Sequence, residues 1–179
     1  MAVSGEMLIF LALGMLILPL QWVFAMVLAA GFHELCHQIA IMLCRGRVRN
    51  LRVGISGAHM DAVGLSTSQE LICAVSGPAG GLLLLLLARW MPRTAVCGAF
   101  QSLFNLLPVY PLDGGRILYC LGLNEKICDF VEKFCFVGIG FLGIYGTFYL
   151  RLGILPLLVA GFVILRAKRP CKVGAFSVQ

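Results

Sequence analysis

The stretch Gly31-Phe-His-Glu-Leu-Cys-His-Gln38 lies inside a longer segment, residues 7–43, whose only charged residue is the glutamate of that stretch. A segment of this length exceeds the about 20 apolar residues that one perpendicular membrane span requires. A break at Pro19-Leu-Gln-Trp22 combines a helix-disfavouring proline with a tryptophan typical of a membrane interface. We therefore predict two helices, over about residues 6–19 and 22–43, that cross or enter a bilayer.

The composition of the whole chain supports a lipid environment. Of its 179 residues, 60% are hydrophobic and 12% are charged, whereas soluble domains are about 45–50% apolar and about 25% charged. A globule of this size cannot bury so large an apolar fraction. This composition excludes intrinsic disorder and argues against nucleic-acid binding as the reason for the net charge of +6. The eight cysteines form no Cys-x-x-Cys pair, so packing explains them better than a disulfide framework does.

Further apolar runs predict the rest of the architecture. Helices are expected over about residues 69–90, from near Thr94, over 128–149 and over 153–166. The loop 45–68 alternates in part, which predicts a short β-hairpin at the membrane surface near residues 48–63. The predicted fold class is an all-α polytopic membrane protein with about six transmembrane helices and this hairpin. Residues 1–179 are expected to form a single domain without a soluble regulatory domain.

The basic residues predict an orientation for the six spans. Eleven lie on one side and three on the other, and cytoplasmic loops are the ones enriched in Lys and Arg. Both termini are therefore expected in the cytoplasm. The eleven are Arg45, Arg47, Arg49, Arg52, Arg116, Lys126, Lys133, Arg166, Lys168, Arg169 and Lys172, and the three are Arg89, Arg93 and Arg151.

Three ionisable residues, His33, Glu34 and His37, fall within five positions of the second predicted span. An ionisable residue inside a membrane costs at least about 2.5–3.5 kcal/mol, so it is a functional candidate by default. Histidines at i and i+4 share one helix face and can reach the same metal ion. The adjacent carboxylate can then polarise a metal-bound water and shuttle its proton. A structural polar cluster between packed helices is the alternative.

A catalytic zinc site needs a third protein ligand, for which the candidates are His59, Asp61 and Asp113. Asp113 is favoured because the other two fall in the predicted surface hairpin. It lies in the stretch 105–116, whose two prolines cannot continue a regular helix and bias the residues before them to extended conformations. Gly114-Gly115 is expected to let the chain turn. Such unwound backbone is tolerated at membrane depth where it lines a cavity or is packed inside protein.

Two equal spacings relate the histidine span to the following motif. Trp22 to His33 and Thr94 to Asn105 are each eleven residues, on helices that are predicted to run in the same direction. At about 1.5 Å per residue, His33 and Asn105 should lie at one level, roughly 16 Å from the outer interface. Asp113 should lie beyond that level, on the cytoplasmic side and within reach of the histidines.

The motifs His33-Glu34-x-x-His37 and Asn105-x-x-Pro-x-x-Pro-Leu-Asp-Gly-Gly115 together resemble those of the site-2 protease family of intramembrane zinc metalloproteases. Within it the chain is most similar to the sporulation branch, typified by stage IV sporulation protein FB, over most of residues 6–166. The resemblance implies one zinc ion per chain, bound by His33, His37 and Asp113, with Glu34 as the general base. It also implies that Asn105 stabilises or orients the tetrahedral intermediate. Of the eight acidic residues, two are expected at membrane depth, Glu34 and Asp113, and both fall in these motifs.

The resemblance implies regulated intramembrane proteolysis, that is, hydrolysis of a peptide bond in or next to a transmembrane segment of a membrane-associated substrate. It implies a bacterial cell membrane, an active site that opens to the cytoplasm, and contacts with lipid, substrate and regulatory membrane proteins but not with nucleic acid. The hairpin could hold the unwound substrate by strand addition, through Val53, Gly54, Ile55, Ser56 and Gly57. The alternative is a non-proteolytic zinc-binding membrane protein, such as a transporter or a metal sensor, which would not need Glu34.

Two features depart from the family pattern. The family's Gly-Pro-x-x-Asn stretch corresponds to Gly77-Pro-Ala-Gly-Gly81, so a glycine stands at the position of the asparagine. Small residues at 76, 77, 80 and 81 predict close helix packing there. The sporulation branch commonly carries a nucleotide-sensing module after the last span, whereas 13 residues follow Arg166 in this sequence.

Overall fold

The computed structural model describes residues 2–3, 18–54, 57–110, 112–149 and 153–166. The chain packs as two compact units, Met1–Leu106 and Leu107–Gln179. The predicted first helix, over about residues 6–19, lies outside the described residues except for its last two positions.

The first unit contains three helices and a small sheet among its described residues. Each of the three helices begins within two residues of its predicted start. In chain order its elements are β1 (Ala2–Val3), α1 (Leu20–Leu43), β2 (Arg47–Gly54), β3 (Gly57–Val63), α2 (Thr67–Leu83), which continues as a 3-10 turn over Leu84–Leu87, and α3 (Pro92–Asn105).

A capping box sets the start of α2. The Ser66 hydroxyl accepts a hydrogen bond from the Gln69 amide at 3.4 Å, and the Ser66 amide donates to Gln69 Oε1 at 2.9 Å. These two bonds satisfy two backbone amides that the start of a helix leaves without partners. Gln69 Nε2 also donates to the Cys44 carbonyl just beyond the end of α1, at 3.3 Å. The same residue therefore fixes the start of α2 against the end of α1.

Small residues let α1, α2 and α3 approach one another closely, as the glycine pattern predicts. A Cβ atom added at Gly80 would lie 2.9 Å from the Cys36 Cβ on α1. One added at Gly81 would meet the Ser102 hydroxyl on α3, and one added at Gly98 would lie 2.7 Å from a methyl carbon of Leu84. These contacts leave no room for larger side chains, which is typical of helix pairs that associate within membranes.

The sheet has the order β1-β2-β3. Strands β2 and β3 pair antiparallel from Arg47 opposite Val63 to Gly54 opposite Gly57. They correspond to the hairpin that the alternation near residues 48–63 predicts. Strand β1 pairs parallel to β2, with Ala2 opposite Arg52 and Val3 opposite Val53. Strand β2 is therefore the middle strand.

Two helical segments in the described part of the chain are long and apolar enough to cross a membrane, Leu20–Leu43 and Thr67–Leu87. In their most apolar windows, 28% and 39% of the residues are buried inside the protein. Most of this apolar surface therefore faces outward, which is the reverse of a core helix in a soluble protein. Both segments have the character of membrane spans, in agreement with the predicted lipid environment.

The second unit contains α4 (Asp113–Cys120), α5 (Glu125–Phe148) and α6 (Leu155–Arg166). Helix α5 begins after Asn124, whose side-chain oxygen accepts from the Lys126 amide at 3.1 Å. Helices α5 and α6 pack closely at Gly143, where a Cβ would lie 2.8 Å from the Ala160 Cβ. The predicted turn at Gly114-Gly115 is wrong, because both residues lie in the first turn of α4. The irregular backbone ends at Leu112, and the helix begins at the next residue, Asp113.

Candidate metal centre

The two histidines of the motif lie one turn apart on α1 and are both buried, with 2% of His33 and 8% of His37 exposed. Their rings meet edge to face, with centroids 4.8 Å apart. The two Nε2 atoms are 3.2 Å apart. The i, i+4 spacing thus brings one nitrogen of each ring to a common point, as the sequence predicts.

A backbone carbonyl on α2 fixes the orientation of the His37 ring. His37 Nδ1 lies 2.7 Å from the Cys73 carbonyl oxygen, and because that oxygen can only accept, Nδ1 carries the hydrogen. In the neutral ring, Nε2 is then the unprotonated nitrogen. The Ser76 hydroxyl also donates to the Cys73 carbonyl at 2.7 Å and lies 3.4 Å from His37 Nδ1.

Asn105, the last residue of α3, reaches the other histidine. Its Nδ2 lies 3.3 Å from His33 Nε2. An amide nitrogen can only donate, so His33 Nε2 accepts with its lone pair. The contact confirms that the equal spacings, from Trp22 to His33 and from Thr94 to Asn105, bring the two residues to one level.

These hydrogen bonds make both Nε2 atoms unprotonated, and the lone pair of His33 Nε2, which accepts from Asn105, would turn to a bound ion. Two such nitrogens 3.2 Å apart repel each other unless a proton or a cation lies between them. Two ligands of one tetrahedral zinc ion, with bonds of about 2.0–2.1 Å, are separated by roughly 3.3–3.4 Å. The spacing and the donor type of His33 and His37 therefore fit a zinc ion, and the Cys73 carbonyl is the kind of outer partner that orients ligating histidines.

Gly77 on α2 provides the space that this pair of rings requires. A Cβ atom added at Gly77 would meet His37 Nε2, and it would lie 2.5 Å from His37 Cε1 and 2.8 Å from His33 Nε2. The α2 backbone therefore passes directly beside both candidate ligand atoms. Within the Gly-Pro stretch, Gly77 is thus required by the histidines as well as by helix packing.

The glycine at position 81, where the family that the sequence resembles has asparagine, has a local steric cause. The Ser102 side chain is fully buried, and its hydroxyl fills the space that a Cβ at Gly81 would enter. The same Cβ would lie 3.0 Å from the Gly98 carbonyl oxygen. Any side chain at position 81 is excluded, so an asparagine cannot act from there in this chain.

The other predicted site residues lie as follows. Glu34 is half-buried on α1, beside the first histidine. Asp113 belongs to the second unit, where it is 8% exposed and begins α4. The less favoured ligand candidates His59 and Asp61 lie on β3. Of the predicted substrate-binding residues, Val53 and Gly54 end β2 and Gly57 begins β3, while Ile55 and Ser56 lie outside the described residues.

Sequence reasoning missed Glu132, which with Asp113 is one of two buried acidic side chains among the described residues. It lies eight residues into α5 and is 7% exposed. Its Oε1 accepts a hydrogen bond from the Tyr110 amide at 3.1 Å. The sequence did contain a signal for Glu132, because its carboxylate falls inside the predicted fifth span. The neighbouring Lys133 pointed the other way, since it is among the basic residues predicted on the cytoplasmic side.

The structure is similar to that of a site-2 protease from Methanocaldococcus jannaschii, with a TM-score of 0.62 and 18% sequence identity. The match covers 94% of this chain and 88% of the archaeal protein. At this identity the likeness is one of fold. No protein-family model matches the sequence, and no curated protein does.

Proposed function

We propose that this chain is an intramembrane zinc metalloprotease that hydrolyses a peptide bond in or next to a transmembrane segment of a membrane-associated protein. The observation that carries the proposal is the pair of buried imidazole Nε2 atoms, 3.2 Å apart, on a helix with the character of a membrane span. A carboxylate stands at the next position in the sequence, Glu34. The shared fold with a site-2 protease adds support.

Three side chains make up the proposed zinc site, His33, His37 and Asp113. All three are buried, and two imidazoles with one carboxylate are a set of ligands that leaves the fourth zinc position open. Asp113 suits the role because a carboxylate oxygen is a ligand that zinc takes beside two imidazoles. When bound, zinc would polarise the scissile carbonyl and lower the pKa of a water molecule toward about 7.

The protein's own groups would handle the protons and the developing charge. Glu34 takes a proton from the attacking water and passes it to the leaving nitrogen. Asn105 is a neutral amide donor beside His33 Nε2, so it can donate to the oxygen on which negative charge develops. Two features of α2 hold the imidazoles in place before substrate binds. Gly77 leaves space for both rings, and the Cys73 carbonyl orients the His37 ring.

A helical substrate must unwind before its backbone can be cleaved, since its peptide groups are hydrogen-bonded within the helix. Strand addition to the sheet would hold the unwound stretch. Strand β2 is the middle strand and its positions 52 and 53 already pair with β1. We therefore propose that the substrate strand adds along β3, near the predicted substrate-binding residues Val53, Gly54, Ile55, Ser56 and Gly57.

The finer assignments rest on the sequence resemblance. They are membership of the site-2 protease family and its sporulation branch, six transmembrane helices, a bacterial cell membrane, cytoplasmic termini and active-site opening, and regulatory membrane partners. The basic loop 45–52 supports the orientation, because it carries four arginines on the side that the count of basic residues assigns to the cytoplasm.

Metal content tests the site. Wild-type protein purified in detergent should contain about one zinc per chain. Glu34→Gln should retain that zinc, because Glu34 is not a ligand, and His33→Ala should lose it. Zinc retained by a variant with His33, His37 and Asp113 all replaced by alanine would refute the site.

Proteolysis is tested in cells, in a form that does not require the substrate to be identified first. Membranes from cells that express wild type or Glu34→Gln are compared by mass spectrometry of labelled N termini. New N termini in or beside transmembrane segments should appear with the wild type and be absent with Glu34→Gln. Zinc binding with identical N termini in the two samples would instead support a transporter or a metal sensor.

A further inference from the structure

The buried carboxylate of Glu132 contacts the backbone of the segment that leads to Asp113. Glu132 is on α5, and its Oε1 accepts from the Tyr110 amide at 3.1 Å. Tyr110 precedes Asp113 by three residues. Keeping a carboxylate on an apolar helix costs free energy, so an acid at this position indicates a specific task. A carboxylate that accepts from a backbone amide makes one of the stronger hydrogen bonds in proteins.

The same segment is held at two further points. The Leu112 amide donates to the Val109 carbonyl at 2.9 Å, which closes a turn directly before α4. Gly115 on α4 packs against that turn so closely that a Cβ there would lie 2.6 Å from Tyr110 N. Val109 itself is 1% exposed. The backbone before Asp113 is thus packed between Gly115 on one helix and Glu132 on another.

We propose that Glu132 is a positioning residue for Asp113. By accepting from the Tyr110 amide, it fixes the irregular segment and so sets where α4 begins and where the Asp113 carboxylate is presented. This inference rests on the proposed function, in which Asp113 is the third zinc ligand. Glu132 acts through the backbone and has no assigned contact with substrate or metal, so its effect should appear in metal binding before any turnover.

Two substitutions at this position separate the hydrogen bond from the charge. Glu132→Gln keeps an oxygen acceptor at the same reach but removes the charge. Glu132→Asp keeps the charge but withdraws the carboxylate by one methylene, about 1.5 Å, and the bond to Tyr110 N is lost. Glu125→Gln is the matched control, because Glu125 is an exposed acid at the start of the same helix.

The experiment titrates each purified, metal-free full-length protein with Co²⁺ in detergent and follows the visible absorption of the bound ion. Wild type, Glu132→Gln and Glu125→Gln should bind with similar affinity and the same spectrum. Glu132→Asp should bind about tenfold or more weakly, the loss typical of removing an outer partner of a metal site, with a spectrum shifted toward that of Asp113→Asn. Hydrogen exchange at the Tyr110 amide of the metal-free protein should be faster in Glu132→Asp alone.

Three outcomes would overturn the assignment. Equal Co²⁺ affinity and spectrum for Glu132→Asp and wild type would show that Glu132 does not position a ligand. Weaker binding by Glu132→Gln than by Glu132→Asp would show that the charge, and not the bond to Tyr110, is what counts. Wild-type protein that binds no Co²⁺ would refute the metal site itself, and this arm distinguishes failure of the proposed function from failure of the role of Glu132.

Discussion

Replacement of Gly77 by alanine should weaken metal binding at the proposed site, although Gly77 is not itself a ligand. The added methyl carbon would lie 2.5 Å from His37 Cε1 and 2.8 Å from His33 Nε2. Ordinary contacts between such atoms are about 3.5–4.0 Å. The rings, or the α2 backbone, would therefore have to move by about 1 Å.

The His37 ring cannot make that movement freely. Its Nδ1 is held at 2.7 Å by the Cys73 carbonyl, which lies on the same helix as Gly77. Zinc ligands tolerate deviations of only about 0.2 Å in bond length. Forcing a methyl group into a packed site costs typically about 1–3 kcal/mol, and about 1.4 kcal/mol corresponds to tenfold in affinity. Gly77→Ala should weaken zinc binding by about ten- to a hundredfold.

The assay is competition for zinc with a chromophoric chelator, with Gly80→Ala as the matched variant. Gly80 lies on the same face of α2, but its added carbon would lie 2.9 Å from the Cys36 Cβ and not beside an imidazole. Both variants should unfold at lower temperature than the wild type, because both overpack a helix interface. Gly77→Ala alone should lose zinc affinity. Equal affinities for Gly77→Ala and Gly80→Ala would refute the reasoning, since the effect would then come from helix packing alone.

Three further substitutions test other contacts. Ser76→Ala removes a donor to the Cys73 carbonyl. It should weaken zinc binding in the same chelator assay by up to about tenfold, because one hydrogen bond contributes about 1 kcal/mol net. An unchanged zinc affinity would contradict a role of Ser76 in orienting His37. Gly115→Ala should lower the unfolding temperature and the zinc content, since backbone atoms lie 2.6 Å from the added carbon, whereas Gly138→Ala enters open space and should change neither. Ser102→Ala removes a buried hydroxyl that has no hydrogen-bond partner in the described part of the structure, so the unfolding temperature should stay the same or rise, and a fall of several degrees would count against this account.

The sequence was sufficient to predict the parts of the site that depend on regular geometry. Helical periodicity alone brings His33 and His37 to one face of α1, and their Nε2 atoms lie 3.2 Å apart. Equal counts along two parallel helices predict that Asn105 and His33 lie at one level, and in the structure Asn105 Nδ2 lies 3.3 Å from His33 Nε2. In each case the shared face or level follows from the regular rise and turn of the α-helix.

Irregular backbone defeated the same reasoning. The two glycines after Asp113 were expected to form a turn, but glycine tolerates close packing as readily as unusual dihedral angles. Glycine is required at position 115 because Tyr110 N lies too close for a Cβ atom. Tyr110 belongs to irregular backbone, so no helical or strand periodicity predicts this contact. The glycine at position 81 is a similar case, because its cause is the Ser102 hydroxyl on another helix.

Glu132 shows that a rare acidic residue in an apolar helix can serve as a hydrogen-bond acceptor for backbone elsewhere in the protein. Counting acidic residues at membrane depth identified Glu34 and Asp113 and left out Glu132, whose neighbour Lys133 is among the basic residues predicted on the cytoplasmic side. Irregular backbone inside a membrane protein leaves amides that no helix satisfies, and each needs an acceptor. The loop before Asp113 exposes such an amide at Tyr110, and Glu132 accepts from it at 3.1 Å. An unwound segment at membrane depth therefore predicts a buried acceptor on a neighbouring helix, and the isolated acids of those helices are where it should be sought.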